Sequence, residues 1–224
     1  MKFSFLGALA FGVMLSGAAQ AATLTNGSLT GGVANGFVPS GWSSTSGSPD
    51  TNDLSNNVGL SSIGFNAPPS GASPDGGTWV GIGAATSFNE GFAQTISDFL
   101  AGATYSLSWY AGNFGALSYT STNSISVFLD GQLVGTGSAL TLGSSWIAES
   151  ISFTATSASQ VLSFASTSNV PSYLSIDGIA LSLLSEPGPT TPETSEVPLP
   201  AAGGLLTLGL GGLAFMRRRK SREV

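Results

Sequence analysis

The sequence predicts an all-β protein whose body is a single β-sandwich, and three observations lead to this fold class. Short runs of alternating apolar and polar residues recur between loops rich in Gly, Ser, Thr and Asn, which is the pattern of half-buried strands. Helical periodicity is missing from the body, except for one candidate turn at 97–101. Cysteine and histidine are both absent from the sequence, so a packed core must hold the fold without disulfides or a Cys/His zinc site.

The amino-terminal half of the body contains five predicted strands, at 24–29, 58–65, 78–82, 91–96 and 104–111. The last is the clearest because its apolar and polar residues alternate with a period of two. One face carries Tyr105, Leu107, Trp109 and Ala111. Between the first two strands lies a long polar passage, Thr30 to Asn57, in which Trp42 is a large anchor.

The carboxy-terminal half begins with a predicted hairpin. Strands at 124–129 and 132–135 are joined by Asp130-Gly131, a dipeptide typical of tight hairpin turns. Further strands run from Ile147 to Ala155 and through Leu162 and Phe164. The last strand, 173–184, changes the phase of its apolar residues at Asp177-Gly178, which predicts a β-bulge there.

Several of these stretches resemble galactose-binding-like jelly rolls, a group that includes carbohydrate-binding modules. They are Asn26–Leu29, Phe92–Ile96, Leu100–Trp109, Val127–Gly131 and Leu174–Leu181. The resemblance implies a jelly-roll-like β-sandwich over residues 22–184, and many such domains bind carbohydrate or a structural calcium ion. Asp177 most resembles a calcium ligand of these modules, whereas Thr30 stands where many relatives have an acid. Calcium (Ca²⁺) is therefore the one expected cofactor.

The distribution of charge excludes one class of partner. All six Lys and Arg lie outside residues 22–200, which contain eleven of the 12 acidic residues. This region therefore has a formal charge of about −11 and no cationic side chain to place on phosphates, so nucleic acid is excluded as a partner.

The first 21 residues have the three parts of a secretory signal peptide. Met1-Lys2 is a short cationic start, an apolar run follows from Phe3 to Leu15, and small residues end in Ala19-Gln20-Ala21. We expect signal peptidase to cut after Ala21, and the apolar run is too short for an ordinary membrane span of roughly 20 residues.

The carboxyl terminus combines a linker with an address-like tail. Residues 185–196 contain three prolines and three glutamates but no large apolar residue, which predicts an extended linker. Residues 197–224 begin with Val197-Pro198-Leu199-Pro200-Ala201, continue with an apolar run to Met216 and end in a basic segment. That segment, with Arg217, Arg218 and Arg219, is expected on the cytoplasmic side. An ordinary membrane anchor is one interpretation of this pattern.

The tail resembles the PEP-CTERM class of bacterial sorting signals in its VPLPA variant. The resemblance implies recognition and cleavage by an exosortase-type membrane protease. It also implies a temporary tether in the inner membrane of a Gram-negative bacterium, with the amino terminus outside and the carboxyl terminus inside. Delivery to the cell surface or extracellular matrix would follow.

Catalytic chemistry in the body is limited to carboxylates. Because the body has no His or Lys, a Ser-His or Ser-Lys nucleophile is excluded. Two acids could form a glycosidase pair, for which Glu149 and Asp177 are the candidates. We expect Asp98 and Asp130 to serve turns. Among the remaining acids, three are expected to be solvated in loops: Asp50, Asp53 and Asp75.

Four aromatic residues are candidates for an exposed sugar-binding platform: Trp42, Tyr110, Phe114 and Tyr119. Trp79, Trp109 and Trp146 are expected in the core instead. Three functions stay open: binding of an extracellular polysaccharide, a purely structural role at the surface or in a biofilm, and carboxylate-dependent glycoside hydrolysis.

Overall fold

The computed structural model describes residues 22–54 and 64–188. These residues belong to one compact unit, whereas the second unit, Pro189–Val224, lies outside the described ranges. The predicted signal peptide, most of the linker and the sorting tail are therefore not described. No helix within the described ranges has the length and apolar character to cross a membrane.

Two antiparallel sheets form the described part of the chain, as the sequence predicts. The first sheet has the order β1 (Ser43–Ser46), β5 (Gly91–Ile96), β10 (Gln160–Ser166), β7 (Ile125–Leu129) and β8 (Gln132–Thr136). The second sheet has the order β2 (Asp50–Asn52), β3 (Trp79–Ala85), β11 (Ser172–Ser185), β6 (Thr104–Asn113) and β9 (Ser144–Thr154), with β4 (Phe88–Asn89) paired to β3.

The core lies between the two sheets and follows the predicted alternation. In β6, Tyr105, Leu107 and Trp109 are at most 1% exposed, while the residues between them are half-buried. The first sheet contributes Phe92 and Phe164, whose rings stack at 5.5 Å. Trp109 is buried in this core as expected, whereas Trp79 is buried on the outer face of the second sheet, where its ring contacts Trp146.

Two local predictions depend on backbone geometry, and both are confirmed. Asp130 and Gly131 have φ angles of 49° and 78°, the left-handed pair that a two-residue hairpin turn requires between β7 and β8. In β11 the pairing with β6 shifts between Asp177 and Ala180, and Gly178 has a φ of 59°. This bulge produces the change of phase that the sequence shows.

The predicted first strand at 24–29 is wrong. Asn26 and Leu29 both have positive φ angles, 50° and 46°, and the Asn26 side chain bonds the backbone of Thr30 in both directions. This local closure favours a turn over an extended strand. The segment instead meets β11 through one backbone bond, from Ile179 N to Gly27 O at 2.8 Å. The polar passage that follows contains two strands that the sequence does not reveal, β1 and β2.

Candidate functional site

Part of the outer face of the second sheet, which points away from the first sheet, is covered by aromatic side chains around β3 and the end of β6. Phe65 stacks on Trp79 at 6.0 Å, and both rings form T-shaped contacts with Phe114. Phe114 is only 1% exposed, so the prediction that its ring is accessible is wrong. A Cβ atom at Gly112 would meet the tip of that ring at 2.6 Å, so the bare glycine makes room for the ring against the sheet.

Trp42 is also buried, contrary to expectation. It is 6% exposed and forms T-shaped contacts with Phe92 and Phe164, at centroid distances of 5.1 and 6.0 Å. Its indole Nε1 donates a hydrogen bond to the carbonyl oxygen of Asn26 at 2.9 Å. The ring closes one side of the inter-sheet core, so it offers no exposed face to a ligand.

Tyr110 and Tyr119 have different surroundings. Tyr110 is half-buried on β6, and its ring lies against Gly178 in the bulge of β11. Tyr119 is partly exposed, and its ring centroid lies 6.1 Å from that of Phe88. Of the four aromatic candidates, Tyr119 is the one that lines the pocket described next.

A pocket of about 170 Å³ opens beside β3, β4 and the start of β11, and we call it the acidic pocket. Its lining residues are Ser48, Asp50, Gly83, Phe88, Glu90, Tyr119 and Tyr173. Glu90 and Asp50 are 7% and 3% exposed. The pocket therefore combines two buried carboxylates with aromatic side chains from three separate segments.

Backbone and hydroxyl groups hold both carboxylates in place. Glu90 Oε2 accepts from the Gly83 N–H at 2.6 Å, and Oε1 accepts from the Ser48 N–H and hydroxyl at 3.1 and 3.2 Å. Asp50 Oδ1 accepts from the Gly36 N–H at 2.8 Å, and Oδ2 from the Tyr173 hydroxyl at 2.8 Å. Hydrogen bonds offset part of the cost of burial, but no cationic side chain faces these acids in the described ranges.

Burial is the main influence on the pKa values of Asp50, Glu90 and Tyr173. Desolvation raises the pKa of Asp50, and hydrogen bonds from Gly36 and Tyr173 only partly oppose it. Desolvation also raises the pKa of Glu90, and the charge of Asp50 adds to the increase. The pKa of the Tyr173 hydroxyl is well above its ordinary value for the same reason, so this hydroxyl stays a donor to Asp50.

The prediction that Asp50 is solvated in a loop is wrong. Glu90 is one of the carboxylates that could serve as a general acid or base, but nothing in its local sequence distinguishes it from the others. One sequence signal could have located them. Gly81 and Gly83 alternate with core residues along β3, so the outer face of this strand carries no side chain there. Bare backbone on a strand face indicates that another group approaches closely. The Tyr173 hydroxyl lies over Gly81, and the Glu90 carboxylate lies over Gly83.

No protein-family profile matches this chain, and no curated protein sequence matches it either. Solved structures do match. A cyclase from Fischerella sp. TAU, solved with 4-(1H-indol-3-yl)butan-2-one, covers 75% of this chain and 99% of its own at 14% identity, with a TM-score of 0.51. The two proteins share a fold.

Other similar structures align less closely. Tailspike protein 4 of bacteriophage CBA120 covers 65% of this chain but only 20% of its own, at 19% identity and a TM-score of 0.40. The carbohydrate-binding module CBM36, solved with calcium and xylotriose, covers 59% of this chain and 98% of its own, at 18% identity and a TM-score of 0.36. Further carbohydrate-binding modules are among the matches.

Asp177, the candidate calcium ligand, lies on the outer face of the second sheet and is fully buried. Burial raises its pKa to about 7, an effect that Asp75 reinforces and that Ser73 and the Gly178 N–H oppose. Neither Ser73 nor the Gly178 N–H forms a hydrogen bond of full geometry with Asp177, so both carboxylate oxygens of Asp177 lack a partner in the described structure. An unpartnered carboxylate fits one calcium ligand. However, the described residues contain no group of three or more His, Cys, Asp or Glu side chains that could hold a metal ion.

Glu149 and Asp177 do not form a pair. Glu149 is opposite Trp109 on the inner face of the second sheet, and Asp177 is opposite Tyr110 on the outer face. Glu149 Oε1 instead accepts from the Ser138 N–H at 3.0 Å. A reaction that needs two neighbouring carboxylates therefore has no site at these residues.

Proposed function

We propose that this protein is a carbohydrate-binding surface protein and that the acidic pocket holds one sugar unit. The proposal rests on one observation, which is that aromatic and carboxylate side chains line the same pocket. The aromatic residues are Phe88 and Tyr119, and the acids are Asp50 and Glu90. Aromatic faces pack against the C–H faces of a sugar ring, and fixed carboxylates accept hydrogen bonds from its hydroxyls. The sequence resemblance to galactose-binding-like jelly rolls supports the same class of ligand.

The size of the pocket limits how much of a glycan can enter it. Sites for drug-sized ligands enclose roughly 300–1,000 Å³, whereas the acidic pocket encloses about 170 Å³. This volume suits a single ring, such as a terminal or branching residue of an extracellular polysaccharide, with the rest of the glycan outside.

Binding to a glycan array tests the proposal. The chain should bind a restricted set of glycans, and Tyr119→Ala should weaken binding at least tenfold because it removes the ring at the pocket's rim. Phe37→Ala is the matched control, since Phe37 is 70% exposed and lies outside the pocket. Absence of binding to any glycan would favour the purely structural role.

The termini support a second part of the proposal, export and sorting. The signal peptide would send the body out of the cytoplasm, and the VPLPA-type tail would hold it until an exosortase-type protease releases it to the cell surface or matrix. Because proline is disfavoured inside a helix, Pro198 and Pro200 would oppose extension of a helix through the Val197-Pro198-Leu199-Pro200-Ala201 motif and leave it open to a protease. Replacing both with alanine should leave full-length protein in the membrane, while the wild type loses its end from Arg217 to Val224. Mass spectrometry decides this: an intact carboxyl terminus in surface-exposed wild type would indicate a plain anchor.

Calcium binding at Asp177 stays a prediction. If the ion is bound, chelation should lower the melting temperature of the protein and added calcium should restore it, because a ligand of the folded state stabilises by mass action. The Asp177→Asn variant should lose this response. Identical melting curves with chelator and with millimolar calcium would exclude the ion.

Glycoside hydrolysis is the second candidate function. Its candidate site is the acidic pocket, instead of Glu149 and Asp177. Two buried carboxyl groups share this pocket, and glycosidases use a pair of carboxyl groups, one protonated as the acid and one ionised as the base or nucleophile. Glycan cleavage that is abolished by both Asp50→Asn and Glu90→Gln would establish catalysis. Binding without any cleavage would leave the protein as a binding module.

A further inference from the structure

We propose that the acidic pocket recognises a protonated amino group, so that its sugar is a hexosamine with a free amine. This inference rests on the proposed function, because it assumes that the pocket holds a sugar. It adds the chemical class of that sugar.

Charge is the first argument. Asp50 and Glu90 line one pocket, and residues 22–200 contain no Lys, Arg or His to neutralise them. Their proximity is visible in the electrostatics, since the charge of Asp50 raises the pKa of Glu90. A cation between them would remove this repulsion at a site largely shielded from water, where charge interactions are stronger than at the surface. An anionic sugar such as a uronate would increase it.

Hydrogen-bonding capacity is the second argument. Each carboxylate oxygen can accept about two hydrogen bonds. Glu90 Oε1 already accepts two, both from Ser48, whereas Glu90 Oε2 and both Asp50 oxygens accept one each in the described structure. Three acceptor positions therefore remain, and an ammonium group has three N–H donors.

The aromatic residues provide an independent third argument. The rings of Phe88 and Tyr119 lie 6.1 Å apart in the wall of the same cavity. An ammonium group is attracted to the face of such a ring, and the ring carbons of the sugar can pack there as well. An N-acetyl group would bring a carbonyl oxygen towards the carboxylates instead, so acetylation of the amine should prevent binding.

Isothermal titration of the full-length chain tests this with three oligosaccharides of equal length: de-N-acetylated glucosamine, N-acetylglucosamine and glucose. At pH 6.5 and low salt, we expect the amine form to bind at least tenfold more tightly than the other two. Glu90→Gln and Asp50→Asn should each weaken its binding at least tenfold. Asp98→Asn is the matched control: it removes one surface charge at a position with a φ of 65°, a conformation that Asn also adopts.

The outcomes separate the two proposals. Equal binding of the glucose and amine forms, lost in Glu90→Gln, would overturn the amine preference but keep the sugar site. No binding of any oligosaccharide would contradict both. One further result would overturn the inference: equal weakening by Asp98→Asn, which indicates general charge attraction. If Glu90→Gln fails to fold, Phe88→Leu, which keeps both acids, should reduce the preference for the amine by removing one aromatic face.

Discussion

Along β3 and the first half of β11, the two faces of the second sheet are equally buried but differ in chemistry. On the inner face, Val80, Ile82, Leu174 and Ile176 are all 0% exposed and pack in the inter-sheet core. On the outer face of the same strands lie bare glycines, the Tyr173 hydroxyl, Ser175 and Asp177, and these polar side chains are at most 1% exposed. Burial alone therefore does not distinguish a stabilising face from a functional one.

The difference lies in what burial does to the free energy of folding. Removing apolar side chains from water stabilises the inner face by about 25 cal/mol per Å². Burying a carboxylate disfavours its charged form, and the raised pKa values of Asp50, Glu90 and Asp177 record that effect. Perturbed acids in a cavity are typical of binding and catalytic sites. The buried carboxylates of the outer face therefore lower the stability of the folded state, and the acidic pocket lies at the edge of that face.

The largest loss of stability should come from a substitution in the core between the two sheets. Phe164 is fully buried and contacts the rings of Trp42, Phe92 and Trp109. Phe164→Ala should lower the free energy of unfolding by about 3–5 kcal/mol, measured by urea denaturation. Val161→Ala on the same strand is the control: Val161 is 40% exposed, and its loss should change stability by roughly 0.5 kcal/mol or less. Equal effects would show that the core is not where we place it.

A smaller effect should follow from altering the outer face. Tyr173→Phe keeps the ring but removes the hydroxyl that donates to Asp50 and accepts from Asn52 at 3.0 Å. A carboxylate oxygen and an amide then lose a buried partner, which should cost about 1–3 kcal/mol in the same urea assay. Unchanged stability would mean that water reaches these groups and that the pocket is more open than described.

The same contrast explains how much could be predicted from the sequence. Strand β6 and the Asp130-Gly131 hairpin are local patterns, and both are confirmed. Asp50 is different, because its burial depends on a hydroxyl 123 residues away in the sequence. Trp42 likewise lies in a polar passage whose composition indicates a loop, yet its ring reaches residues of two other strands. The alternation of apolar and polar residues shows which residues lie on each face of a strand, but not which segments of the chain cover the outer face.

The smallest effect we predict is a difference in pH dependence. Because the pKa of Glu90 is higher in the folded state than its ordinary value of 4.5, the folded state holds its proton more tightly than the unfolded state. Its contribution to stability is therefore full below pH 4.5 and is lost as the pH rises through the folded pKa. Glu90→Gln should remove this part of the decline, so its unfolding free energy should fall less between pH 4 and pH 7 than that of the wild type. Parallel curves would contradict the raised pKa.

The central claim is that the acidic pocket is the carbohydrate site. Nuclear magnetic resonance tests it most directly, by titrating the isotope-labelled chain with a glycan that binds on the array. The account predicts that the backbone amide signals of Ser48, Gly83 and Tyr119 shift with a common dissociation constant, while those of the Asp130-Gly131 turn stay unchanged. Saturable shifts confined to another surface, such as the exposed face of the first sheet around Val161, would contradict it.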